Sequence, residues 1–141
     1  MKIAWDQINI WAALVAGLAA MVIGMAWYGG PLGKLWVRLN GYSEAKVQQM
    51  QAARPPIVFL GGMLVSYLML AFVFAMLAAT MRVQSPLDGM LLGVMLWVGL
   101  AATIGFTAHL ASDKHIGVYV LDASFQLVFL IAMGAILGVW R

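Results

Sequence analysis

Four long apolar runs, separated by short polar stretches, dominate this chain and restrict the folds open to it. They cover residues 8–28, 56–80, 87–110 and 116–140. Each run is close to the roughly 20 residues that an α-helix needs to cross the hydrocarbon of a bilayer. Apolar residues make up 65% of the 141 residues and charged residues 9%, and so short a chain cannot hide that much apolar surface from water. The pattern predicts one all-α transmembrane domain, residues 1–141, with four membrane-spanning helices.

The longest polar section, residues 31–54, lies between the first two runs and has helical spacing of its own. Its apolar positions recur on one face, at Leu32, Leu35, Trp36 and Leu39. Lys34 and Arg38 lie off that face, which predicts a short helix in the headgroup layer with its apolar side toward the hydrocarbon. Ser43 is suited to N-cap a second short helix that begins at Glu44, whose charge suits a helix N-terminus.

The charges predict an orientation in the membrane. Four spans place both termini on one side, with Lys2, Arg82 and Arg141. The other side carries five basic residues, Lys34, Arg38, Lys46, Arg54 and Lys114. Because positive charge favours the cytoplasmic side, we expect a multi-pass protein of the inner membrane with residues 31–54 in the cytoplasm and both termini outside. The net charge of +3 comes from basic residues spread singly, which suits lipid headgroups and not a nucleic acid.

The sequence lacks the motifs of several classes of chemistry. There is no cysteine, which excludes disulfides, thiolate metal sites and cysteine nucleophiles. There is also no histidine pair at zinc spacing, no nucleophile elbow and no glycine-rich phosphate loop. We therefore predict no metal, no cofactor and no catalytic residue.

One acidic residue inside the last run is the strongest functional signal. Asp122 shares a helix face with His115, Tyr119 and Gln126, which are spaced four, three and four residues apart. A carboxylate within a membrane span is costly, so such a residue is a candidate for function. At 1.5 Å per residue, Asp122 would lie on the order of 9 Å inside the span and Gln126 about 15 Å inside.

Other spans carry polar side chains at a similar depth. Ser66 and Tyr67 would lie about 15 Å inside the second span, and Thr103 about 13 Å inside the third. Together they predict a polar crevice that binds a ligand through Asp122, Gln126, Tyr119, Thr103, Thr107, His109, Ser66 and Tyr67. Asp122 would accept a proton or a cation, with His109 or His115 as its partner.

Plainer interpretations of these residues remain open. Asp122 could lie near the headgroups, satisfied by Tyr119, a turn residue or water, and Gln126 and the threonines could form hydrogen bonds between helices. Aromatic residues at the ends of spans usually anchor the protein at the membrane interface, which is our interpretation of Trp27, Tyr28 and Trp36. Stripes of small residues on the first, third and fourth spans exceed the needs of one bundle and predict a homo-oligomer.

Two short segments resemble a known family. Trp27-Tyr28, Pro31, Gly33-Lys34 and Trp36 follow one another where the first span ends. They resemble the DUF1761 family of small bacterial membrane proteins, and residues 133–140 resemble its C-terminal helix. The resemblance implies a four-helix integral membrane protein and no activity, since the family is defined as a domain of unknown function.

Three classes of function fit this sequence. The first, which we favour, is a non-enzymatic protein that binds or transports a small molecule or a cation around Asp122. The second is a structural or lipid-organising protein whose helix at residues 32–39 grips one leaflet. The third is a membrane enzyme acting on a lipid or a quinone, which would need His109 or His115 as a base within hydrogen-bond reach of Asp122.

Overall fold

The computed structural model describes residues 4–140, which are helical apart from short connections. A 3₁₀ turn, Trp5–Gln7, is followed by α1 (Ile10–Gly29), α2 (Pro31–Leu39), α3 (Glu44–Ala53), α4 (Pro56–Thr80), α5 (Pro86–Leu96), a π-helical segment (Trp97–Ala102), α6 (Thr103–Leu110) and α7 (Ile116–Val139). The three consecutive elements from α5 to α6 form one continuous third span, Pro86–Leu110. Four helices are thus long and apolar enough to cross a membrane, and residues 4–140 contain no strand. The predicted all-α membrane fold is confirmed.

Short polar side chains define where several helices begin. The Asn9 side chain accepts hydrogen bonds from the Trp11 and Ala12 amides in the first turn of α1, and the Ser43 hydroxyl accepts one from the Lys46 amide at 3.2 Å. Ser85 does the same for the Asp88 amide at the start of α5, at 3.1 Å. Each side chain satisfies an amide that the helix itself leaves without a partner. The predicted N-cap at Ser43 is confirmed.

Helix α7 is the central element of the bundle. It packs against α1, α4 and α5. Of its most apolar 18 residues 44% are buried, compared with 11–33% in the other spans. Its buried side chains include Phe125, Phe129 and Met133. The third span packs mainly on α7, whereas α4 packs mainly on α1, and α1 packs on both α4 and α7. Helix α7 thus contacts each of the other three spans.

Glycines bring the third span into backbone contact with α7. A Cβ added at Gly89 would overlap the Gly134 carbonyl oxygen, and one at Gly93 would lie 2.5 Å from the Leu130 carbonyl oxygen. Gly17 has a similar role on α1, where an added Cβ would meet the Leu68 side chain at 2.9 Å. These small residues pack within one chain, so the homo-oligomer remains a prediction that they no longer support.

A tight corner turns the chain from α1 into α2. A Cβ at Gly33 would overlap the Tyr28 carbonyl oxygen, so only glycine lets the first turn of α2 fold back against the end of α1. Helix α2 then packs across α7, where Leu39 carbon atoms lie 3.1 Å from the Cβ position of Gly117. We call the end of the bundle that carries α2, α3 and residues 111–115 the loop-rich end.

The contact between Gly89 and Gly134 predicts a stability difference between two glycine substitutions. Gly89→Ala should lower the free energy of unfolding by about 1–3 kcal/mol, because the added methyl group forces two helix backbones apart. Gly61→Ala is the matched control, since an added Cβ there meets no atom within 4 Å. Unfolding in mixed detergent micelles, followed by circular dichroism, measures both variants. Equal losses in the two variants would contradict the backbone contact.

Candidate functional site

A hydrogen bond between α1 and α7 forms the centre of the candidate site. The Tyr28 hydroxyl donates to Asp122 Oδ1 at 2.6 Å, across 94 residues of sequence. Tyr28 lies in the last turn of α1 and Asp122 in the second turn of α7, so both lie near the loop-rich end. Packing of α1 on α7 brings them together, because Gly24, one turn before Tyr28, allows Phe125 to approach closely, at 3.2 Å from its Cβ position.

Tyr28 is the one side chain in residues 4–140 that donates a hydrogen bond to Asp122. Within the same part of the chain no lysine, arginine or histidine forms an ion pair with this carboxylate. Asp122 is also partly exposed, so it is accessible from outside the bundle. Carboxylates in membrane spans usually pair with a cation or face a polar cavity. The second oxygen, Oδ2, accepts no hydrogen bond from a side chain or a backbone amide of residues 4–140.

Aromatic rings surround the Tyr28–Asp122 pair. The Tyr28 ring packs edge-on against Phe125, with centroids 5.2 Å apart, and against Trp36, with centroids 6.3 Å apart. Trp36 in turn packs on Tyr42 at 5.7 Å, and Trp27 packs on Phe125 at 6.1 Å. These rings come from α1, from α2 with the turn after it, and from α7. The three aromatic residues predicted as interface anchors, Trp27, Tyr28 and Trp36, thus belong to one connected group of rings, which Tyr28 joins to Asp122.

The two histidines have other partners than Asp122. His109 lies beside the rings of Phe106 and Tyr119, with centroids 6.3 and 5.9 Å away. His115 caps α7, and its Nδ1 accepts a hydrogen bond from the Gly117 amide at 3.0 Å. The partner of Asp122 is thus Tyr28, where the sequence suggested a histidine. The pair of a base and a carboxylate that the enzyme hypothesis requires is not formed within residues 4–140.

Three hydroxyl residues of the predicted crevice are bonded to their own helices. Thr103 donates to the Val98 carbonyl oxygen at 2.7 Å, Thr107 to the Thr103 carbonyl at 3.0 Å, and Ser66 to the Gly62 carbonyl at 2.9 Å. All three are exposed. Short hydroxyl side chains can reach a backbone carbonyl one turn earlier, so they need no polar neighbour on another helix. The structure does not bring them to Asp122.

The remaining predicted residues lie on or near α7. Tyr67 packs its ring on Phe129 at 5.5 Å, one turn beyond Phe125. Gln126 lies one turn beyond Asp122 on the same face and is partly exposed. Tyr119 donates its hydroxyl to the Ala102 carbonyl oxygen at 3.1 Å and so links α7 to the third span. Asp122, Tyr119 and Gln126 therefore share one face of α7, as their spacing predicted.

The π-helical segment was not predicted, and it contacts α7 on both sides of Asp122. Trp97, its first residue, donates its indole N–H to the Ala123 carbonyl oxygen at 2.7 Å. The carbonyl oxygen of Ala102, its last residue, accepts a hydrogen bond from the Tyr119 hydroxyl. The wider turn of a π-helix disturbs the regular ladder of backbone bonds, and side-chain donors bond the carbonyls at this junction. A tryptophan in the middle of an apolar span, which needs an acceptor for its N–H, was the available signal.

Two recesses in the described part of the chain lie away from Asp122. One of about 450 Å³ lies at the end of the bundle opposite the loop-rich end, with Arg82 and Trp140 in its wall. The other, of about 490 Å³, is an open groove on α4 that runs from Arg54 to Tyr67. Residues 4–140 contain no group of three or more histidine, aspartate or glutamate side chains that could hold a metal ion. Neither recess is lined by Asp122 or Tyr28.

The Tyr28–Asp122 bond predicts an energetic coupling. Tyr28→Phe should lower the free energy of unfolding by about 1.5–3 kcal/mol, because it removes a hydrogen bond to a charged acceptor, the Asp122 carboxylate. The same change should have little effect in an Asp122→Leu background, where no acceptor remains. Tyr42→Phe is the control, since its hydroxyl makes no hydrogen bond within residues 4–140 and its ring belongs to the same aromatic chain. Unfolding in mixed micelles gives the coupling energy, and a value near zero would contradict the bond.

Comparison with known proteins places the chain in a family. No curated protein and no solved structure matches it. A family model described as "Protein of unknown function (DUF1761)" matches residues 11–138, which extend from the first turn of α1 to the last turn of α7. The resemblance seen at residues 27–36 and 133–140 is confirmed, and the chain belongs to the DUF1761 family.

Proposed function

We propose that this membrane protein binds a proton or a cation at Asp122 and uses that event to bind or transport a small molecule. The observation that carries the proposal is the carboxylate of Asp122 inside a span. Within residues 4–140 it accepts one side-chain hydrogen bond, from the Tyr28 hydroxyl at 2.6 Å. This arrangement leaves one carboxylate oxygen free to take a proton or to pair with a positive charge.

The energies involved support a site that takes a positive charge. A hydrogen bond to a charged group contributes about 1.5–3 kcal/mol, whereas taking a carboxylate out of water costs several kcal/mol. The single bond from Tyr28 therefore offsets part of the cost. A proton or a bound cation would offset the rest, so the site has two forms that differ in charge.

The position of the site suggests from which side it is filled. Asp122 and Tyr28 lie near the loop-rich end, which carries the larger share of basic residues. The distribution of these residues favours the cytoplasmic side for that end. We therefore propose a protein of the inner membrane whose Asp122 site opens toward the cytoplasm.

The two alternative functions have less support. An enzyme acting on a lipid or a quinone would need a base beside Asp122, and both histidines have other partners. A purely structural or lipid-organising role for α2 would leave its apolar face to the lipid. Leu35 of that face is indeed exposed, but Trp36 packs on Tyr28 and Leu39 packs at Gly117, which connects α2 to the candidate site.

Infrared spectroscopy tests whether Asp122 takes a proton. In protein reconstituted in a bilayer, difference spectra between acidic and alkaline buffer should contain a carboxyl band from a hydrogen-bonded side chain. The band should vanish in Asp122→Asn and shift in Tyr28→Phe, because the phenol polarises the carboxyl group.

The control for this experiment is Asp113→Asn. Asp113 is exposed in the turn before α7, at the same end of the bundle, and its substitution should leave the Asp122 band in place. Identical difference spectra for the unaltered protein and Asp122→Asn would refute proton binding at this site.

A further inference from the structure

We infer that the site around Asp122 takes a lipophilic organic cation, whose charge pairs with the carboxylate and whose apolar groups contact the rings around Tyr28. This inference rests on the proposed function and names the class of its ligand. It follows from the number of polar groups at the site, from the arrangement of aromatic rings and from the depth of Asp122.

The site has too few oxygen ligands for a small inorganic cation. Ca²⁺ takes six to eight oxygen ligands and Mg²⁺ requires near-octahedral geometry. Around Asp122 the described chain offers the carboxylate, the Tyr28 hydroxyl and, one turn along α7, the Gln126 side chain, whereas Ser66, Thr103 and Thr107 donate to carbonyls of their own helices. A strongly hydrated ion would lose its water at this site without receiving enough replacement oxygens. A weakly hydrated organic cation would lose much less.

The rings beside the carboxylate supply the second half of the recognition. Tyr28 and Trp36 pack on each other and both are partly exposed. Phe125 also contacts Tyr28, but its ring is buried and supports the tyrosine from within the bundle. Aromatic faces attract ammonium groups within about 6 Å of the ring centroid, tryptophan most strongly. A carboxylate bonded to Tyr28, with the partly exposed Trp36 ring packed on that tyrosine, is the combination that suits an alkylated or arylated cation.

The depth of Asp122 matches the place where such cations collect. Asp122 lies on the order of 9 Å inside the fourth span, in the outer third of a hydrocarbon layer about 30 Å thick and below the headgroups. A lipophilic cation keeps its charge near the headgroups and its apolar groups in the hydrocarbon, and anionic lipids raise its concentration there. The ligand would thus reach Asp122 sideways from the interface.

Two ions of the same shape and opposite charge test this inference. Tetraphenylphosphonium and tetraphenylborate differ mainly in the sign of their charge. With purified protein in uncharged maltoside micelles, calorimetry should show saturable binding of tetraphenylphosphonium and none of tetraphenylborate. The affinity for tetraphenylphosphonium should fall about tenfold or more in Asp122→Asn and stay unchanged in Asp113→Asn. Equal binding of the two ions, or undiminished binding to Asp122→Asn, would overturn the inference.

Aromatic substitutions test the contribution of the rings. Trp36→Leu should weaken tetraphenylphosphonium binding about three- to tenfold, and Trp36→Phe should restore most of it. The infrared band of Asp122 should persist in both variants, which shows that the carboxylate is intact. Unchanged affinity in Trp36→Leu would show that the rings do not take part. If Asp122→Asn does not fold, Asp122→Glu and Tyr28→Phe take its place. We expect both variants to bind tetraphenylphosphonium more weakly, and unaltered binding would contradict the inference.

The infrared and binding measurements separate the inference from the proposed function. The protein could show a carboxyl band of Asp122 that responds to pH and yet have no affinity for tetraphenylphosphonium. That result would support proton binding and would overturn the inference that the ligand is an organic cation. If neither response occurs, both the proposed function and the inference fail.

Discussion

The close approach of helix backbones to α7 is the interaction on which the remaining structure depends. Lipid provides no hydrophobic force between spans, so van der Waals contact at small residues holds them together. Gly89 and Gly134 place the third span against one part of α7, and Gly24 lets Phe125 of α7 approach α1. Since α7 contacts every other span, a shift at these glycines would move Asp122 relative to Tyr28 on α1, and Tyr119 relative to Ala102 on the third span.

The polar groups of the spans follow a simple division. Hydroxyl groups on Ser66, Thr103 and Thr107 bond to their own helices and remain on the outside. Three long aromatic side chains, Tyr28, Trp97 and Tyr119, in contrast carry their polar atoms to a neighbouring helix, whereas the buried indole N–H of Trp27 has no acceptor within residues 4–140. Reach explains the difference, because a short side chain can bond only nearby backbone, whereas tyrosine and tryptophan extend across a helix interface. The candidate site is therefore aromatic and acidic in character.

The helix layout could be predicted because it depends on local properties of the chain. Length and hydropathy define the spans, and Pro31, Pro56 and Ser43 mark helix starts through their own backbone chemistry. The site was predicted only in part. The spacing of Tyr119, Asp122 and Gln126 places them on one face of α7, but no periodicity indicates that Tyr28 lies opposite. Equal depth near the same membrane surface was a usable signal, and it pointed equally to the two histidines.

The sequence by itself determined that this chain has four apolar helices, where they begin and end, and that one of them carries a carboxylate. These properties follow from the length of the apolar runs, from proline and capping residues, and from the helical repeat. The tertiary structure alone decided which side chain meets Asp122, which glycines form interfaces and where the third span widens into a π-helix. Those features depend on how helices distant in sequence are rotated and shifted against each other, and that arrangement results from the sum of many small packing contacts.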